Sequence, residues 1–503
     1  MEEWKAYYEK IRQGEEVRQN LIALKNSLKE GRNVRGLAYL LGGDFSLFTG
    51  LLKAEDPKIR KNAALILGTM ESDDLVPVLV KAYQEEETLF VRSAYLKALE
   101  GCSYEEYVPY FAERLKELDA CPQEEENGKH ARDEAAALSS LLAVSEVCGT
   151  HTFEGYDMQV EVILLTDRGH REVTRAKIKQ EKVTMLAGGI RFFTSDLKEL
   201  WKIRTFREML FPIPRVSKVS GTPSEIGEEL ACKIADYLET LHKEKGAFRF
   251  RTEMKGIKDA QEKADFARQF SEACSRQSGR RLLNNPSDYE VEIRLVSGHD
   301  GQFVPLLKLS TFPDKRFDYR KEAVGTSIAP ARAALIMELS APWLKEGAQV
   351  LDPFCGVGTM LVERAKFKQA YPLYGIDIYG EAIEKGRENA KRAELPIHFI
   401  NRNCLEFRHS YLFDEIISDL PLVGKTRNRD EIRRLYEGLF ERIGRWLKEG
   451  GILVLYTSEE TVMDACLRKY PSVKLLQKFL IQEKTKSQLY ILQYEKQKGS
   501  SLG

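Results

Sequence analysis

The 503-residue sequence lacks an excess of charge of either sign: 77 Lys and Arg face 77 Asp and Glu. A uniformly basic coat for nucleic acid is excluded; a basic patch balanced elsewhere is not. It lacks a CxxC pair, because its eight cysteines (Cys102, Cys121, Cys148, Cys232, Cys274, Cys355, Cys404 and Cys466) stand singly. Zinc ribbons and thioredoxin-type motifs are therefore unsupported, no metal is expected, and scattered thiols suit a reducing compartment. It lacks any run approaching the roughly 20 apolar residues of a membrane span. The first residues, MEEWKAYYEK, lack the apolar stretch of a signal peptide. A cytoplasmic protein without membrane attachment is the expectation.

At about 150 residues per domain, the length predicts roughly three domains. Charge is unevenly spread among them. Residues 1–150 hold 19 basic and 27 acidic side chains, a net of −8, whereas residues 171–220 hold 12 basic against 5 acidic. Within the acidic front, LLKAEDPKIRKNAALILG (51–68) and LVKAYQEEETLFVRSAYLKALE (79–100) look alike. Ile59-Arg60 in the first corresponds to Val91-Arg92 in the second. Each reads as a short amphipathic helix, an acidic turn and a second helix, and Asp56-Pro57 opens the second helix of its pair. The pattern resembles HEAT-like helical pairs, with a plain helical bundle as the alternative. A stacked helical surface usually binds a partner, so a protein partner is expected on 1–150. The polar stretch 121–135 reads as a linker, followed by a helix over 132–147.

From about residue 155 the pattern becomes mixed. Strands are predicted over 159–166 and 188–193, then a helix from Asp196 to Leu210 capped by Ser195. A clear amphipathic helix (224–245), a strand (247–254), a helix (259–276) and two strands (288–297 and 302–310) joined through GHDG follow. This alternation argues for one or two ferredoxin-like modules. From 328 to 495 strands and helices alternate regularly. The strands are read at 349–352, 373–377, 397–400, 414–418, 452–457, 473–482 and 488–494. This is the doubly wound α/β pattern, closed by a reversed hairpin at the sheet edge.

QVLDPFCGVGTMLVERA (349–365) runs from an apolar strand ending in Asp352, through a glycine-rich turn, into a helix that begins near Thr359. Gly356 and Gly358 admit close approach of a ligand, and the helix start presents free N–H groups. One strand later Asp377 lies twenty-five residues beyond Asp352, placed to bind two ribose hydroxyls of a nucleoside. A dinucleotide fingerprint would need a small residue where Leu361 stands. A third segment, EIISDLPLVGK (415–425), ends a strand in Ser-Asp-Leu-Pro. An exocyclic amine on a base is a poor nucleophile because its lone pair is delocalised. Asp419 and the Leu420 carbonyl can accept its two N–H bonds and aim that lone pair. Upstream, Thr326 to Pro330 form a turn before an apolar helix.

D-P-F-C-G-x-G-T resembles motif I of S-adenosylmethionine-dependent methyltransferases, and S-D-L-P resembles the D/N-P-P-Y/F motif of amino-methylating enzymes. With GGIRFFTSDLKELWKIRTFREMLFPI (188–213), FRFRTEMKG (248–256) and RLLNNPSDYEVEIRL (281–295), residues 155–495 resemble the THUMP-domain RNA methyltransferases that modify the guanine exocyclic amine. The resemblance implies a multidomain chain. The helical repeats (1–150), which are not part of the usual family layout, would precede an α+β ferredoxin-like and THUMP RNA-binding region (151–315) and a Rossmann-like class I methyltransferase domain (316–503). It implies S-adenosylmethionine as cofactor and RNA, tRNA first, as substrate. Asp352, Phe354, Gly356, Gly358 and Thr359 would line the methionine part, and Asp377 would hold the ribose with Ile378 beside it. Asn403 would face the adenine, and Ser327 and Pro330 would help close the site. Asp419, Leu420 and Pro421 would hold the target amine. Lys425, Arg427 and Arg429, together with Arg204 and Arg207, would touch RNA phosphates.

The sequence departs from the family at two places. Leu422 replaces the aromatic on which the target base stacks, with Val423 inserted before Gly424, and Asn403 stands where an Asp is usual. Base stacking contributes about 1–3 kcal/mol, so another aromatic, Tyr436, is a candidate to supply it. The rival readings are an rRNA guanine methyltransferase, a scaffold that kept the fold and lost turnover, and a methyltransferase for a protein side-chain amide. A base in folded RNA must also be splayed out to be reached.

Overall fold

The structure, a computed structural model, describes residues 3–28, 31–120, 128–145, 150–245, 247–298, 300–424 and 427–496. The chain packs as two units, residues 1–153 with 218–305, and residues 154–217 with 306–503.

The first unit opens with helices. The two similar segments form helices Pro57–Gly68 and Leu89–Ala98, preceded by Ser46–Leu51 and Val76–Glu85. Asp56 accepts the Lys58 N–H at 2.8 Å, and Pro57 takes the first helical position, where its missing N–H costs nothing. The corresponding arginines do corresponding work. Arg60 forks onto Glu86 at 2.7 and 2.8 Å, while Arg92 reaches Glu134 at 3.5 Å. Glu134 is fully buried and also accepts from Tyr83 Oη at 2.6 Å and Arg114 Nε at 3.0 Å. Burying a carboxylate is costly without such partners. The expected 132–147 helix runs Gly128–Ser145, and most of the expected linker lies outside the described residues.

The same unit holds helices Pro223–Leu241 and Ala260–Gln277. Thr222 and Glu225 form a reciprocal capping box at the first, and Asp259 caps the second. A Cβ at Gly227 would come within 2.7 Å of the Phe270 carbonyl, so only glycine lets these helices touch. Strand Phe248–Lys255 pairs in parallel with Val291–Ser297 on one side and with the short Leu282–Asn284 on the other.

In the second unit, Val183–Leu186, Gly189–Thr194, Val160–Leu165 and Glu208–Pro212 form an antiparallel sheet in that order, and Phe211 and Pro212 pair with Leu307 and Leu306. The helix expected from Asp196 to Leu210 is corrected here: a short 3₁₀ turn, Lys198–Lys202, gives way to strand Glu208–Pro212. The guanidinium of buried Arg316 donates to the Ile203 and Phe206 carbonyls at 3.2 and 2.7 Å. It thereby occupies acceptors that a helix would have used for itself. The Arg207 N–H joins the Leu165 carbonyl at 2.7 Å, drawing the segment into the sheet.

The remainder is a seven-stranded sheet. Its order is Ile397–Asn401, Ala370–Asp377, Ala348–Asp352, Phe413–Asp419, Leu447–Thr457, Ser487–Tyr494 and Val473–Gln482. The first five strands are parallel and the last two form the expected reversed hairpin. Leu351, Ile416 and Leu453 point into a core with helices Arg429–Trp446 and Glu460–Lys469. Their neighbours Val350, Ile417 and Val454 point into the opposite core with helices Pro330–Ser340, Thr359–Phe367 and Gly380–Arg392. Burial of both faces is why these strands read as continuous apolar runs. Among the described residues, no helix is long and apolar enough to cross a membrane.

Beneath the sheet, Arg364 forks onto Glu415 at 2.7 and 3.0 Å and donates to the carbonyls of Lys345 and Lys368. Both side chains are at most 1% exposed. Glu415→Leu is expected to strand this guanidinium and destabilise the domain by about 3–5 kcal/mol. The double change with Arg364→Met should recover most of that. Urea unfolding of the full chain measures both, and a single-variant loss below about 1 kcal/mol would contradict the assignment.

Candidate active site

The order of the parallel strands reverses direction beside Ala348–Asp352, the place where an open α/β sheet leaves a crevice at its strand ends. Parallel register brings three carboxylic acids to this rim. Asp352, Asp377 and Asp419 each end a strand, and the three strands are neighbours. A cavity of about 1080 Å³ opens there, lined by all three.

The three acids differ sharply in environment. Asp352 is 1% exposed, accepts from Ser418 Oγ at 2.5 Å and from the Phe354 N–H at 3.0 Å, and ties strand end to loop. Burial, augmented by the negative charges of Asp419 and Asp377, pushes its carboxyl up to about 8. Asp377 accepts from the Gly356 N–H through one oxygen and from the Tyr379 N–H through the other, both at 2.9 Å. It pins the glycine loop to the next strand and keeps lone pairs free for ribose hydroxyls. Asp419 receives no hydrogen bond from any described residue. Burial raises its carboxyl to about 7, against the opposing pull of the Arg332 guanidinium.

The glycine loop is shaped by two left-handed residues, Gly356 at φ +51° and Gly358 at φ +78°. A Cβ on Gly358 would lie 2.8 Å from the Phe399 ring, whereas one on Gly356 would meet nothing within 4 Å. Gly358 caps helix Thr359–Phe367, whose first N–H groups lack intrahelical partners. Thr359 Oγ1 is buried without a hydrogen-bond partner among the described residues, so the site holds an unused polar atom.

Of the expected cofactor residues, Asp352, Phe354, Gly356, Thr359, Asp377, Ile378, Asn403 and Ser327 line the cavity. Gly358 and Pro330 do not. Gly358 sets the loop's turn, and Pro330 starts the helix after Ser327. Asn403 Oδ1 accepts from the Leu405 N–H at 3.1 Å, which leaves its Nδ2 donors for a base edge. The expected amine-holding residues Asp419, Leu420 and Pro421 line the cavity together.

The expected RNA contacts separate. Arg427 lines the cavity, its guanidinium 6.0 Å from the centre of the Tyr379 ring, whereas Arg429 sits on the exposed first turn of its helix. Lys425 lies outside the described residues. Arg204 and Arg207 belong to the antiparallel part of the unit. Arg204 forks onto buried Glu363 at 2.7 and 2.8 Å and donates to the Arg316 carbonyl at 2.6 Å, so its donors are held by protein groups. Exposed Arg207 donates to the Thr166 carbonyl at 3.2 Å. Tyr436 is corrected as a stacking ring: it is fully buried in the core behind the strand. At the mouth stand Leu422 and Val423, each 44% exposed, and Tyr379. Tyr379 follows Asp377 in plain view in the sequence, but only the fold brings it to the same opening as Leu422. Among the described residues no group of three His, Cys, Asp or Glu is arranged to hold a metal.

Comparison with known proteins agrees with this geometry. Residues 318–487 match the family model described as "RMKL-like, methyltransferase domain", and residues 46–120 match HEAT repeats. The chain is 34% identical over 120 residues to the U6 snRNA (guanine-N(2))-methyltransferase THUMPD2 of Bos taurus, a match covering 23% of each chain. It is 26% identical over 144 residues to the tRNA (guanine(10)-N2)-dimethyltransferase of Methanothermobacter thermautotrophicus, covering 27% of this chain and 42% of that one. These matches thus span well under half of the relatives' own length. The solved structure of TrmN from Thermus thermophilus shares the fold, with a TM-score of 0.51 at 20% identity over 67% of this chain and 99% of that one. Residues 318–487 are accordingly a methyltransferase domain, preceded in the chain by HEAT repeats.

The cavity suits S-adenosylmethionine on its own terms: a ribose-ready carboxylate, a glycine loop open to a ligand, and a buried hydroxyl in want of a partner. Asp377→Ala is expected to weaken binding of this cofactor at least about tenfold, the loss of a charged hydrogen-bond acceptor. Isothermal titration measures it, and unchanged affinity would remove the ribose role.

Proposed function

We propose that this chain is an S-adenosylmethionine-dependent RNA methyltransferase acting on the exocyclic amine of a guanine, with tRNA as the substrate. The observation that carries the reading is Asp419. Its carboxyl is held in the cavity wall without a protein donor, next to the Leu420 carbonyl. Asp419 is half-buried at the cavity wall, so the acceptors that the protein leaves unmade are open to a ligand. The guanine-directed activities of the two relatives named above support the same substrate edge.

S-adenosylmethionine, when bound, supplies an electrophilic methyl group on a cationic sulfur. Asp377 would hold its ribose, Asn403 its base edge, and the loop from Phe354 to Thr359 its amino-acid end. Asp419 and the Leu420 carbonyl would take the two N–H bonds of the guanine amine, turning the nitrogen lone pair towards the methyl group. As the N–C bond forms and the methyl–sulfur bond breaks, leaving a neutral thioether, the nitrogen would shed one proton, and ionised Asp419 would be placed to receive it. The acceleration comes from alignment and from a negative charge set where positive charge develops. No side-chain nucleophile or metal is involved.

The division 1–150, 151–315 and 316–503 is proposed as partner-binding, RNA-gripping and catalytic parts. A separate RNA grip is what a methyltransferase needs to measure the distance to a splayed-out base. Arg427 and Arg429 are proposed to meet backbone phosphates beside the cavity, and Arg207 to meet them on the RNA-gripping part. Arg204, its donors already used, is left out of that set. A cytoplasmic location goes with the tRNA substrate, and a protein partner with the helical front. The mouth residues Leu422 and Val423 favour a second reading, a protein that binds RNA with weakened turnover.

Asp419→Asn should keep cofactor affinity and lower transfer at least about 100-fold, because an amide cannot take up the amine's proton. Because Asp419 is protonated below about 7, wild-type kcat/KM should rise with pH through that value and level above it. Tritium transfer from labelled cofactor to small RNA measures both. Normal turnover of the variant would refute the amine-holding role.

A further inference from the structure

The four residues from Leu420 to Val423 leave the sheet as a loop, yet three tethers hold them. The Leu420 N–H bonds back to the Tyr456 carbonyl at 2.9 Å. Tyr436 Oη donates to the Pro421 carbonyl at 2.9 Å. The Val423 N–H donates to Glu459 Oε1 at 3.0 Å. The second tether belongs to a chain whose direction is fixed by chemistry. The Pro421 carbonyl only accepts, so the single Tyr436 hydroxyl proton goes there. Thr457 Oγ1, 2.7 Å from Tyr436 Oη, must then donate to it. Thr457 Oγ1 in turn accepts the Glu459 N–H at 2.9 Å. The run is therefore Glu459 N–H to Thr457 hydroxyl, to Tyr436 hydroxyl, to Pro421 carbonyl, and Glu459 closes the circle through Val423.

Bonds aligned in one direction polarise and strengthen one another. Tyr436 is fully buried, and its burial holds the phenol protonated throughout the working pH range, so the donor is always present. With the Pro421 carbonyl already bound, its neighbour, the Leu420 carbonyl, accepts from no described residue and lines the cavity beside Asp419. A stacking aromatic at 422 would orient a base by contact with the base itself. Here Leu422 offers no ring, and rigidity of the turn takes over that part.

We infer that Tyr436 and Thr457 are positioning residues for transfer. Their hydrogen-bonded chain fixes the Leu420–Pro421 turn so that its free carbonyl and Asp419 meet the target amine at one angle. This rests on the amine-methylating reading above. Tyr436, Thr457 and Glu459 do not line the cavity, so loss of the chain should be felt in kcat and not in cofactor binding. Misplacement of a reacting group by about 1 Å costs on the order of 100-fold in rate.

The test uses the full-length protein, tritiated S-adenosylmethionine and small RNA from cells lacking the gene. Tyr436→Phe and Thr457→Val should each lower kcat by about 10- to 100-fold with cofactor Kd within twofold of wild type. Thr457→Ser, which keeps the relay hydroxyl, should restore most of the rate. The double variant should be no slower than the slower single one, because both break one chain. Tyr436→Phe with wild-type kcat would overturn the clamp while leaving the methyltransferase reading intact. Rate losses that multiply in the double variant, or that track an equal loss of cofactor affinity, would also overturn it. Absence of any transfer by the wild type alongside intact cofactor binding would overturn both.

Discussion

Three carboxylic acids share one rim of the crevice, and the site is organised by the different surroundings that each of them meets. Asp352, Asp377 and Asp419 are delivered together because neighbouring parallel strands run out at one edge, with Asp352 level with Gly375 and Asp377 and Asp419 each two residues further along. Their environments then divide the work. Asp352, sealed from water, is pushed up to about 8 and serves the loop as a hydrogen-bonding anchor. Asp377 meets two backbone N–H groups and, on the proposed reading, would offer its remaining lone pairs to a sugar. Asp419, poised near 7 and without a protein donor, is the group whose charge a cationic ligand and an incoming amine would call up. Environment, not residue type, assigns the three roles.

The same arrangement affects stability. Asp352 and Asp419 hold protons in the folded state well above the usual carboxylate range, so between about pH 4 and 8 these two groups bind more protons in the folded chain than in the unfolded one. Each therefore costs stability as pH rises through that window. A positive ligand in the cavity relieves the cost by favouring the ionised forms. Binding energy at this site and the strain of its charges are thus coupled.

The methyltransferase half was legible in the sequence because its strands are buried on both faces and end in short, specific turns. Motif spacing points to Asp352 and Asp377 as a nucleoside crevice and puts Asp419 at the end of a later strand. What stayed hidden depended on partners far along the chain. The helix expected over 196–210 is unmade by Arg316, more than a hundred residues later, which takes the Ile203 and Phe206 carbonyls. Arg204 looked like a surface cation until Glu363, 159 residues away, claimed it. Strand Leu282–Asn284 is three residues long, too short for alternation to reveal. Tyr436 read as an aromatic near the catalytic turn; its hydroxyl, not its ring, proves to be the part that reaches it. Local pattern conveys elements and motifs, whereas long-range ionic and hydroxyl contacts appear only once the chain is folded.

On the proposed reading, this crevice delivers a methyl group to a guanine amine in RNA. Mass spectrometry of nucleosides from purified small RNA, compared between cells with and without the gene, tests it most directly. An N2-methylated guanosine signal should fall on deletion and return on complementation with the wild-type gene. Nucleoside profiles that are identical in the two strains, for every RNA class resolved, would contradict it.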